Sequence, residues 1–407
     1  MNCRHCGAQL THTFLDLGFA PPSNAYLSAD ALNCPEVYYP LRLKICEQCW
    51  LVQTEDYAEA GQLFDRDYAY FSSTSTSWLA HAAAYAAEMT RRFGLDRNSL
   101  VLEIASNDGY LLKNFVASGI PCLGVEPTES TAAVAEKLGI PVICEFFGEA
   151  LGERLALEGR CADLIAGNNV FAHVPDINDF AKGLRAALKP GGVITLEFPH
   201  LMRFIEHSQF DTAYHEHFSY LSLYAVDRIF RAAGLRVWNV EELPTHGGSL
   251  RVFGCSAEDS REEESAVAEL LEEEAKRGMQ QLATYTSFQE RADRIKDDLV
   301  RFLLDQKRSG KRVVAYGAAA KGNTLLNYAG IKADLLPFIC DAAASKQGKY
   351  MPGSHIPILP PDALSKQRPD FMLILPWNIA AEVKQQNVRL AEMGTKFVTA
   401  VPFLEIQ

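Results

Sequence analysis

The sequence lacks any apolar run of about 18 residues, the length at which a helix could span a bilayer. It also has no basic segment with an apolar core near its start, where Met1 is followed by Asn2, Cys3 and Arg4. Its net charge of -12 is not offset by a Lys/Arg stripe with interleaved aromatic residues. These absences predict a cytoplasmic protein that binds neither membranes nor nucleic acid.

The composition is typical of a folded globular protein, with 48% hydrophobic and 22% charged residues. At 407 residues the chain exceeds what one hydrophobic core usually organises, so we expect about two or three domains. Because no export signal precedes them, the 10 cysteines indicate metal ligands and free thiols rather than a disulfide framework.

Two Cys-x-x-Cys pairs lie near the start of the chain, and each fits a tight turn that points both sulfurs at one ion. Four thiolates complete the tetrahedral shell of zinc and leave no open position, so the metal would be structural. The interval between the pairs is longer than a compact zinc ribbon requires. His5, His12 and Cys34 are therefore alternative ligands, and reduced cysteines without a metal are the alternative to a zinc site. The predicted ligands are Cys3, Cys6, Cys46 and Cys49.

A strand, a tight turn and a helix are predicted in succession after residue 98. The apolar segment 99–104 runs into the turn 105–110, and a second strand at 122–125 ends in Glu126, whose carboxylate could accept both hydroxyls of an adenosine ribose. Ala105 occupies the first glycine position of a G-x-G-x-x-G motif, which disfavours a nicotinamide dinucleotide. S-adenosylmethionine has no phosphates to hold and is favoured instead.

Two further segments extend this pattern. A strand at 163–170 carries Asn168 at its polar end, and a Lys-Pro-Gly-Gly turn at 189–192 leads into a strand at 193–198. Together with Glu103 and Glu126 they resemble the class I S-adenosylmethionine-dependent methyltransferase fold. His173 follows the end of the strand predicted at 163–170. There its imidazole could face the ligand site, or it could lie at the start of a helix and bond to the backbone.

The segment Tyr214, His215, Glu216 and His217 brings a phenol, two imidazoles and a carboxylate together. Such a density indicates proton chemistry, because imidazole titrates near neutral pH and a carboxylate can fix its tautomer. The alternative is a run of partly exposed polar residues at the end of a strand.

The C-terminal half begins with residues 260–311, which are rich in Glu, Lys, Ala and Leu and predict one or two long helices. Residues 312–324 then predict a second strand, loop and helix, and Lys321 and Asn323 at the start of that helix suit a diphosphate. Segment 346–358 could line the same cleft. Walker A spacing is absent, and a purely structural domain is the alternative.

The order of these motifs resembles the sugar C-methyltransferases of deoxysugar biosynthesis, over essentially the whole chain. The resemblance rests on the paired Cys-x-x-Cys motifs and on segments 68–73, 103–109, 214–220, 246–251, 317–327 and 346–358. It implies an α/β protein with a small zinc-binding module at 1–67, a methyltransferase domain at 68–258, a helical connector at 259–310, and a second Rossmann-like domain at 311–407 that binds a sugar nucleotide.

The resemblance also implies S-adenosylmethionine-dependent methylation of a nucleotide-linked ketosugar, commonly a dTDP-4-keto-6-deoxysugar, at the carbon next to the ketone. His217 would be the general base, Glu216 would position or polarise it, and the other catalytic residues would be Tyr214, Tyr68 and His173. The cofactor residues would be Glu103, Ala105, Asn107, Asp108, Gly109, Glu126 and Asn168. The substrate residues would be Lys321, Asn323, Lys349 and Arg251.

Two other functions are consistent with these motifs. One is methyl transfer to oxygen or nitrogen, which depends less on a strong base because the nucleophile already carries a lone pair. The other is a zinc-containing protein that only binds S-adenosylmethionine. Because simple binding needs no base, the Tyr-His-Glu-His segment favours an enzyme. The resemblance further implies a monomer.

Overall fold

The computed structural model describes residues 1–55, 57 and 72–407, and it arranges their strands in three sheets. The predicted catalytic residue Tyr68 and the predicted boundary between residues 67 and 68 lie outside this part of the chain. The α/β class and the three-part architecture predicted from the sequence are confirmed by these sheets. The other domain boundaries stay predictions.

The N-terminal sheet has four antiparallel strands, and its last strand comes from the middle of the chain. Its order is β1 (His12–Ala20), β2 (Tyr39–Ile45), β3 (Val52–Thr54) and β9 (Ser219–Tyr220). Alternate residues of β2 are buried, as expected for a strand with one face on a core. Val52 pairs with Tyr220 and Gln53 with Ser219, so the segment that follows His217 is part of this sheet.

The central sheet has seven strands in the order β6, β5, β4, β7, β8, β11, β10. The strands are β4 (Val101–Ile104), β5 (Cys122–Val125), β6 (Val142–Ile143), β7 (Ala162–Asn168), β8 (Leu188–Pro199), β10 (Leu235–Leu243) and β11 (Ser249–Ser256). The first five are parallel, whereas β11 lies antiparallel between β8 and β10. A dinucleotide-binding sheet has no such inserted strand.

Helices cover both faces of the central sheet, and every residue of β4 and β5 is buried, as parallel strands require. The side chain of Ser75 accepts a hydrogen bond from the Trp78 amide and so caps the first helix. The helices are α1 (Thr76–Phe93), α2 (Leu112–Ala117), α3 (Glu129–Lys137), α4 (Glu149–Leu157), α5 (Ile177–Ala187), α6 (Leu201–Glu206) and α7 (Leu223–Ala232).

The turn predicted at 189–192 is not the start of a strand. β8 already begins at Leu188, which pairs with Ala162, and the next pair joins Val193 to Leu164. Residues 189–192 therefore form a bulge inside the strand, where Gly191 has a φ of +77°. The Pro-Gly-Gly signal correctly marked an irregular backbone, but the strand continues in the same direction on both sides of it.

The connector contains three helices, where the sequence predicted one or two. They are α8 (Ser265–Lys276), α9 (Leu282–Thr286) and α10 (Phe288–Arg308). Gly278, with a φ of +75°, follows the end of α8 and turns the chain. The buried Glu274 carboxylate on α8 accepts hydrogen bonds from the Leu223 and Tyr224 amides, which fixes the connector against the start of α7.

The C-terminal sheet has six strands in the order β14, β13, β12, β15, β16, β17, all parallel except the last. The strands are β12 (Val313–Tyr316), β13 (Ile339–Cys340), β14 (Ile358–Leu359), β15 (Phe371–Ile374), β16 (Lys396–Thr399) and β17 (Glu405–Ile406). The helices are α11 (Ala320–Tyr328), α12 (Asp362–Gln367), α13 (Ala380–Gln386) and α14 (Val388–Glu392).

In both the central and the C-terminal sheet, the chain first adds strands on one side of its first strand and then crosses over to add the next strand on the other side. In the central sheet this crossover point lies at the carboxyl ends of β4 and β7, and in the C-terminal sheet at those of β12 and β15. Ligands bind in such crevices. Of the helices in the described part, none has the length and apolar character needed to cross a bilayer.

Candidate active site

The four cysteines of the two Cys-x-x-Cys pairs converge at the start of the N-terminal module. Their Sγ atoms all lie within 4.8 Å of one another. The Cys3 and Cys49 sulfurs are 3.4 Å apart, and those of Cys6 and Cys46 are 3.5 Å apart. Four soft thiolate ligands in so compact a group fit a tetrahedral zinc ion and leave no position for a substrate. The predicted zinc site is confirmed as a structural one.

The alternative ligands lie outside the four-cysteine cluster. His5 Nδ1 lies 2.8 Å from the Asn178 side-chain oxygen, and His12 Nε2 lies 3.2 Å from a Glu47 oxygen. Cys34 is an exposed free thiol outside the cluster.

The metal module contacts the central domain close to the Tyr-His-Glu-His segment. Arg4 donates to the Pro175 carbonyl at 2.8 Å and stacks over the Phe218 ring at 5.4 Å. The Thr54 amide donates to the Phe218 carbonyl at 3.2 Å, and the Thr54 hydroxyl donates to the His217 carbonyl. The fold of the zinc module therefore sets the path of the main chain at His217.

The loop after β4 has an unusual backbone. Ala105, Asn107 and Gly109 have φ values of +58°, +50° and +79°. A left-handed conformation is uncommon for a residue such as Ala105. At Gly109 a side chain is also excluded by space, because an added Cβ would lie 2.5 Å from the Ile140 side chain. The loop is held tightly at the carboxyl end of β4, where a ligand would bind.

Three carboxylates meet beneath this loop. Burial, with the nearby charges of Glu126 and Asp108, raises the pKa of Glu103 well above its usual value. Glu126 accepts hydrogen bonds from the Asn107 and Thr128 amides at 2.9 and 3.0 Å. A buried group of acidic side chains favours a cationic ligand.

Several buried polar atoms at the same place have no hydrogen-bond partner within the described residues. They are the Ser106 hydroxyl, one oxygen of Asp108 and both amide atoms of Asn168. Buried polar groups are normally satisfied, so these atoms fit a polar ligand. S-adenosylmethionine, with its ammonium, sulfonium and ribose hydroxyls, matches both the charge and the hydrogen-bonding capacity of the group.

His217 lies at the centre of a second group, beyond the carboxyl end of β7. Its ring centroid is 4.5 Å from that of His173 and 4.7 Å from that of Tyr214. Burial lowers the pKa of His217 well below its usual value, and nearby His173 and His246 lower this pKa further. His217 is therefore unprotonated at neutral pH, the form in which imidazole accepts a proton.

His173 is fixed in one tautomer. Its Nδ1 lies 2.9 Å from the main-chain oxygen of Glu216, and since a carbonyl oxygen only accepts, Nδ1 carries the proton. Burial lowers the pKa of His173 to about 4, against the opposing effect of this hydrogen bond. In the neutral ring Nε2 is therefore a hydrogen-bond acceptor. The ring contacts His217 and also bonds to the main chain, so both sequence interpretations of His173 stay predictions.

The Glu216 carboxylate is buried and points to the N-terminal module. The side-chain amide of Asn24 donates to both of its oxygens, at 3.2 and 3.1 Å. Next to it, the Tyr26 hydroxyl donates to the Ala318 carbonyl at 2.6 Å. The loop that carries Asn24 and Tyr26 thus joins the Tyr-His-Glu-His segment to the C-terminal domain.

The C-terminal domain brings a buried cation to this group. Lys321 donates to the Asn378 side chain at 2.7 Å and lies 4.4 Å above the centre of the Trp377 ring. The Trp377 indole donates to Asp211 at 2.7 Å. Burial lowers the pKa of Lys321 to about 8, with Asp211 opposing the shift. Burial raises the pKa of Asp211 to about 6, and Lys321 opposes that change.

The remaining predicted substrate residues are less closely associated with this group. Asn323 is buried, and its amide lies 3.5 Å from the Ser23 carbonyl. Lys349 pairs through its main chain with Ile358.

Arg251 is buried in the central sheet, where it forms ion pairs with Glu197 at 3.2 Å and Glu241 at 3.3 Å. Among the described contacts, none brings Arg251 or Lys349 to Lys321.

Sequence reasoning missed several residues around the group: Asn24, Tyr26, Asp211 and Trp377. Only the Pro-Pro pair before Asn24 marked its loop as a special segment, and nothing in the sequence indicated that this loop would contact Glu216. Asp211 and Trp377 carry no local signal, because their pairing depends on the docking of two domains.

The seven-stranded sheet with its inserted antiparallel strand, the polar atoms at the end of β4 and the four-cysteine cluster define an S-adenosylmethionine-dependent methyltransferase with a zinc-binding module. Three family models agree: a zinc binding domain matches residues 3–64, a methyltransferase domain residues 78–240, and a C-methyltransferase C-terminal domain residues 244–402. The chain belongs to the C-methyltransferase family. C-methyltransferase NovU of Streptomyces niveus is 34% identical over 98% of this chain and 95% of its own length.

More distant similarities cover less of the chain. An uncharacterized methyltransferase of Mycobacterium leprae, ML2584, is 27% identical over 24% of this chain and 36% of its own length. The crystal structure of the PH0226 protein from Pyrococcus horikoshii is 14% identical, with a TM-score of 0.39, over 49% of this chain and 99% of that protein.

Proposed function

We propose that this C-methyltransferase acts on a nucleotide-linked ketosugar, a dTDP-4-keto-6-deoxysugar, and methylates the carbon next to the ketone in deoxysugar biosynthesis. The observation that carries the proposal is the buried imidazole of His217, whose ring packs against those of His173 and Tyr214 and lies close enough to Lys321 for their charges to interact. A carbon nucleophile needs such a base, because a C–H bond has no free lone pair.

His217 removes the proton from the carbon next to the ketone. Such a proton is acidic enough for imidazole once the enolate oxygen receives hydrogen bonds. Because a low pKa makes His217 a weak base, this stabilisation matters more than it would for a stronger base. Glu216, held by Asn24, fixes the main chain that carries His217 and also binds His173.

Tyr214 and His173 bind the sugar beside His217. The pKa of Tyr214 is raised well above its usual value by burial, and the charge of Asp211 raises it further, so the phenol keeps its proton and acts as a hydrogen-bond donor.

S-adenosylmethionine supplies, when bound, the sulfonium methyl group that the enolate carbon takes up. Glu126 holds its ribose hydroxyls, while Glu103, Asp108 and Asn168 face its charged end.

Lys321 and the amino end of α11 hold the diphosphate of the substrate. Unpaired amide groups at the start of a helix attract anions, and the lysine adds a positive charge. Their position at the switch point between β12 and β15 is the usual ligand site of such sheets.

Substitution of Glu126 with glutamine is expected to weaken binding of S-adenosylhomocysteine by about 10- to 100-fold, because a charged acceptor of ribose hydroxyls is lost at a buried position. Isothermal titration calorimetry measures the change. Glu129→Gln alters an exposed carboxylate three positions along the chain and should bind like the unaltered protein. Equal affinity of the Glu126→Gln variant would contradict the role of this residue.

The value of kcat/KM for the sugar nucleotide should fall by about tenfold per pH unit above pH 8, because the free enzyme then loses the Lys321 cation. Below this pH the Lys321 cation is present, and titration of Lys321 should no longer change the value of kcat/KM. Lys321→Met should give a low value of kcat/KM without this basic limb. Lys366→Met, which removes an exposed lysine of the same domain, should keep the limb. A profile that is identical in the Lys321→Met variant would exclude the proposed contact.

The direct test of the proposed function is incubation with S-adenosylmethionine and a panel of dTDP- and GDP-linked ketosugars. A product heavier by one methylene unit, with a carbon-bound methyl group in its NMR spectrum, is expected. Transfer to oxygen or nitrogen would give the same mass but a different methyl resonance. Exchange of the sugar hydrogen for deuterium in heavy water, without a methyl donor, separates carbon chemistry from these alternatives.

A further inference from the structure

A third imidazole, that of His246, lies between the cofactor loop and the sugar site and has no part in the steps described above. Its ring centroid is 5.3 Å from that of Trp78, which in turn lies 6.0 Å from the Tyr110 ring in the cofactor loop. On the other side, His246 is close enough to His217 and Lys321 for their charges to interact.

The loop that carries His246 is held in a conformation that few residues adopt. His246, Gly247 and Gly248 have φ values of +54°, +90° and +117°. An added Cβ at Gly247 would lie 2.5 Å from the Trp377 ring, and one at Gly248 would lie 2.8 Å from the Arg203 side chain. The Gln209 amide donates to the Gly247 carbonyl at 2.7 Å. Backbone strain that is fixed from several sides is typical of functional positions.

The tautomer of His246 is set by its neighbour. The Asn169 side-chain nitrogen lies 3.1 Å from Nε2, and because an amide nitrogen only donates, Nε2 accepts. The proton of the neutral ring is therefore on Nδ1. A neutral imidazole with this tautomer is a hydrogen-bond donor at the nitrogen that faces away from Asn169.

His246 stays neutral at the pH of the cell. Burial and the nearby cation of Lys321 together lower its pKa to about 4, against the opposing charge of Glu197. A protonated imidazole at this place would repel a sulfonium. A neutral donor can stabilise negative charge on an enolate oxygen without adding a second cation beside the methyl group.

We infer that His246 is a further catalytic residue, which donates its Nδ1 proton in a hydrogen bond to the oxygen of the enolate that forms on the ketosugar. The inference rests on the proposed function, since it needs an enolate at this site. It assigns His173 and Tyr214 to the sugar hydroxyls and His246 to the oxygen where charge develops.

The test uses dTDP-4-keto-6-deoxyglucose in heavy water without S-adenosylmethionine, and follows deuterium uptake next to the ketone by NMR. His246→Ala is expected to lower the exchange rate by about 100-fold, as the loss of one oxyanion donor does. His246→Asn should recover much of the rate, because its amide places a donor near the position of Nδ1 and asparagine tolerates the left-handed backbone. Affinity for S-adenosylhomocysteine, measured by calorimetry, should change by less than about threefold in both variants.

A second variant leaves the His246 loop intact. Asn169→Asp replaces the amide donor with an acceptor, which should move the ring proton from Nδ1 to Nε2 and slow exchange about as much as His246→Ala. Exchange at the unaltered rate in both His246→Ala and Asn169→Asp would overturn the inference. Absence of exchange in the unaltered protein would instead count against the proposed function, so the two failures are distinguishable.

Discussion

Replacement of His217 with alanine is expected to abolish methyl transfer while the affinity for S-adenosylmethionine stays nearly unchanged. His217 is the base of the proposed reaction, and loss of a general base lowers kcat by about 10²- to 10⁴-fold. The ring contacts His173 and Tyr214, whereas the polar atoms that fit the cofactor lie at the ends of β4 and β7. Proton removal and cofactor binding are therefore separable.

Turnover is measured by mass spectrometry of the methylated sugar nucleotide, and cofactor affinity by calorimetry with S-adenosylhomocysteine. His207→Ala is the matched control, because it removes an imidazole from the surface of the same domain and should leave kcat unchanged. If the His217→Ala variant turned over normally, or if it lost the cofactor instead, His217 would not be the base.

Substitution of Cys49 with serine is expected to release zinc and to inactivate the enzyme, although the cysteine lies far along the chain from the proposed base His217. Its sulfur is one of the four in the cluster, and removal of one thiolate weakens a closed tetrahedral site severely. Binding of the metal is expected to supply much of the free energy that folds the small N-terminal module. Because Thr54 binds the main chain of both His217 and Phe218, disorder in the module would displace the base.

Zinc content is measured by atomic emission spectroscopy, and thermal unfolding by circular dichroism, for the Cys49→Ser variant and a Cys34→Ser control. Cys34 lies in the same module and is exposed, so its replacement should retain one zinc ion and full activity. A Cys49→Ser protein that keeps both the metal and turnover would show that the four sulfurs do not hold a structural zinc ion.

Local patterns predicted the parts of the fold that depend on local interactions. Hydrophobic periodicity within short segments predicted the strand that contains Glu103, with the turn and helix that follow it. It also predicted the second strand, which leads to Glu126. The insertion of β11 between β8 and β10 could not be predicted in this way. β11 follows β10 directly in the chain, but on its other side it pairs with β8, which is distant in sequence. The pairing of β9 with β3 of the N-terminal sheet could not be predicted either, because the two strands are far apart in the sequence.

In the candidate site, too, contacts within one sequence motif could be predicted, whereas contacts between domains could not. His217 and Tyr214 are neighbours in one motif, so their proximity could be predicted from the sequence. The contacts of Lys321 with Trp377, and of Trp377 with Asp211, join segments of different domains and have no local signal. The predicted ligand contact of Arg251 stays a prediction, while its ion pair with the buried carboxylate of Glu197 on the adjacent strand is a further contact that no local pattern indicated.

The pairing of β3 with β9 has a consequence for the order in which the chain is assembled on the ribosome. Residues 52–54 are synthesised long before residues 219–220, so the nascent N-terminal module has an open sheet edge until its last strand emerges. A fragment that ends before residue 219 would keep that edge unpaired and would tend to associate with other chains. The metal can bind early, whereas closure of the sheet and alignment of the base are completed only after more than half of the protein has been translated.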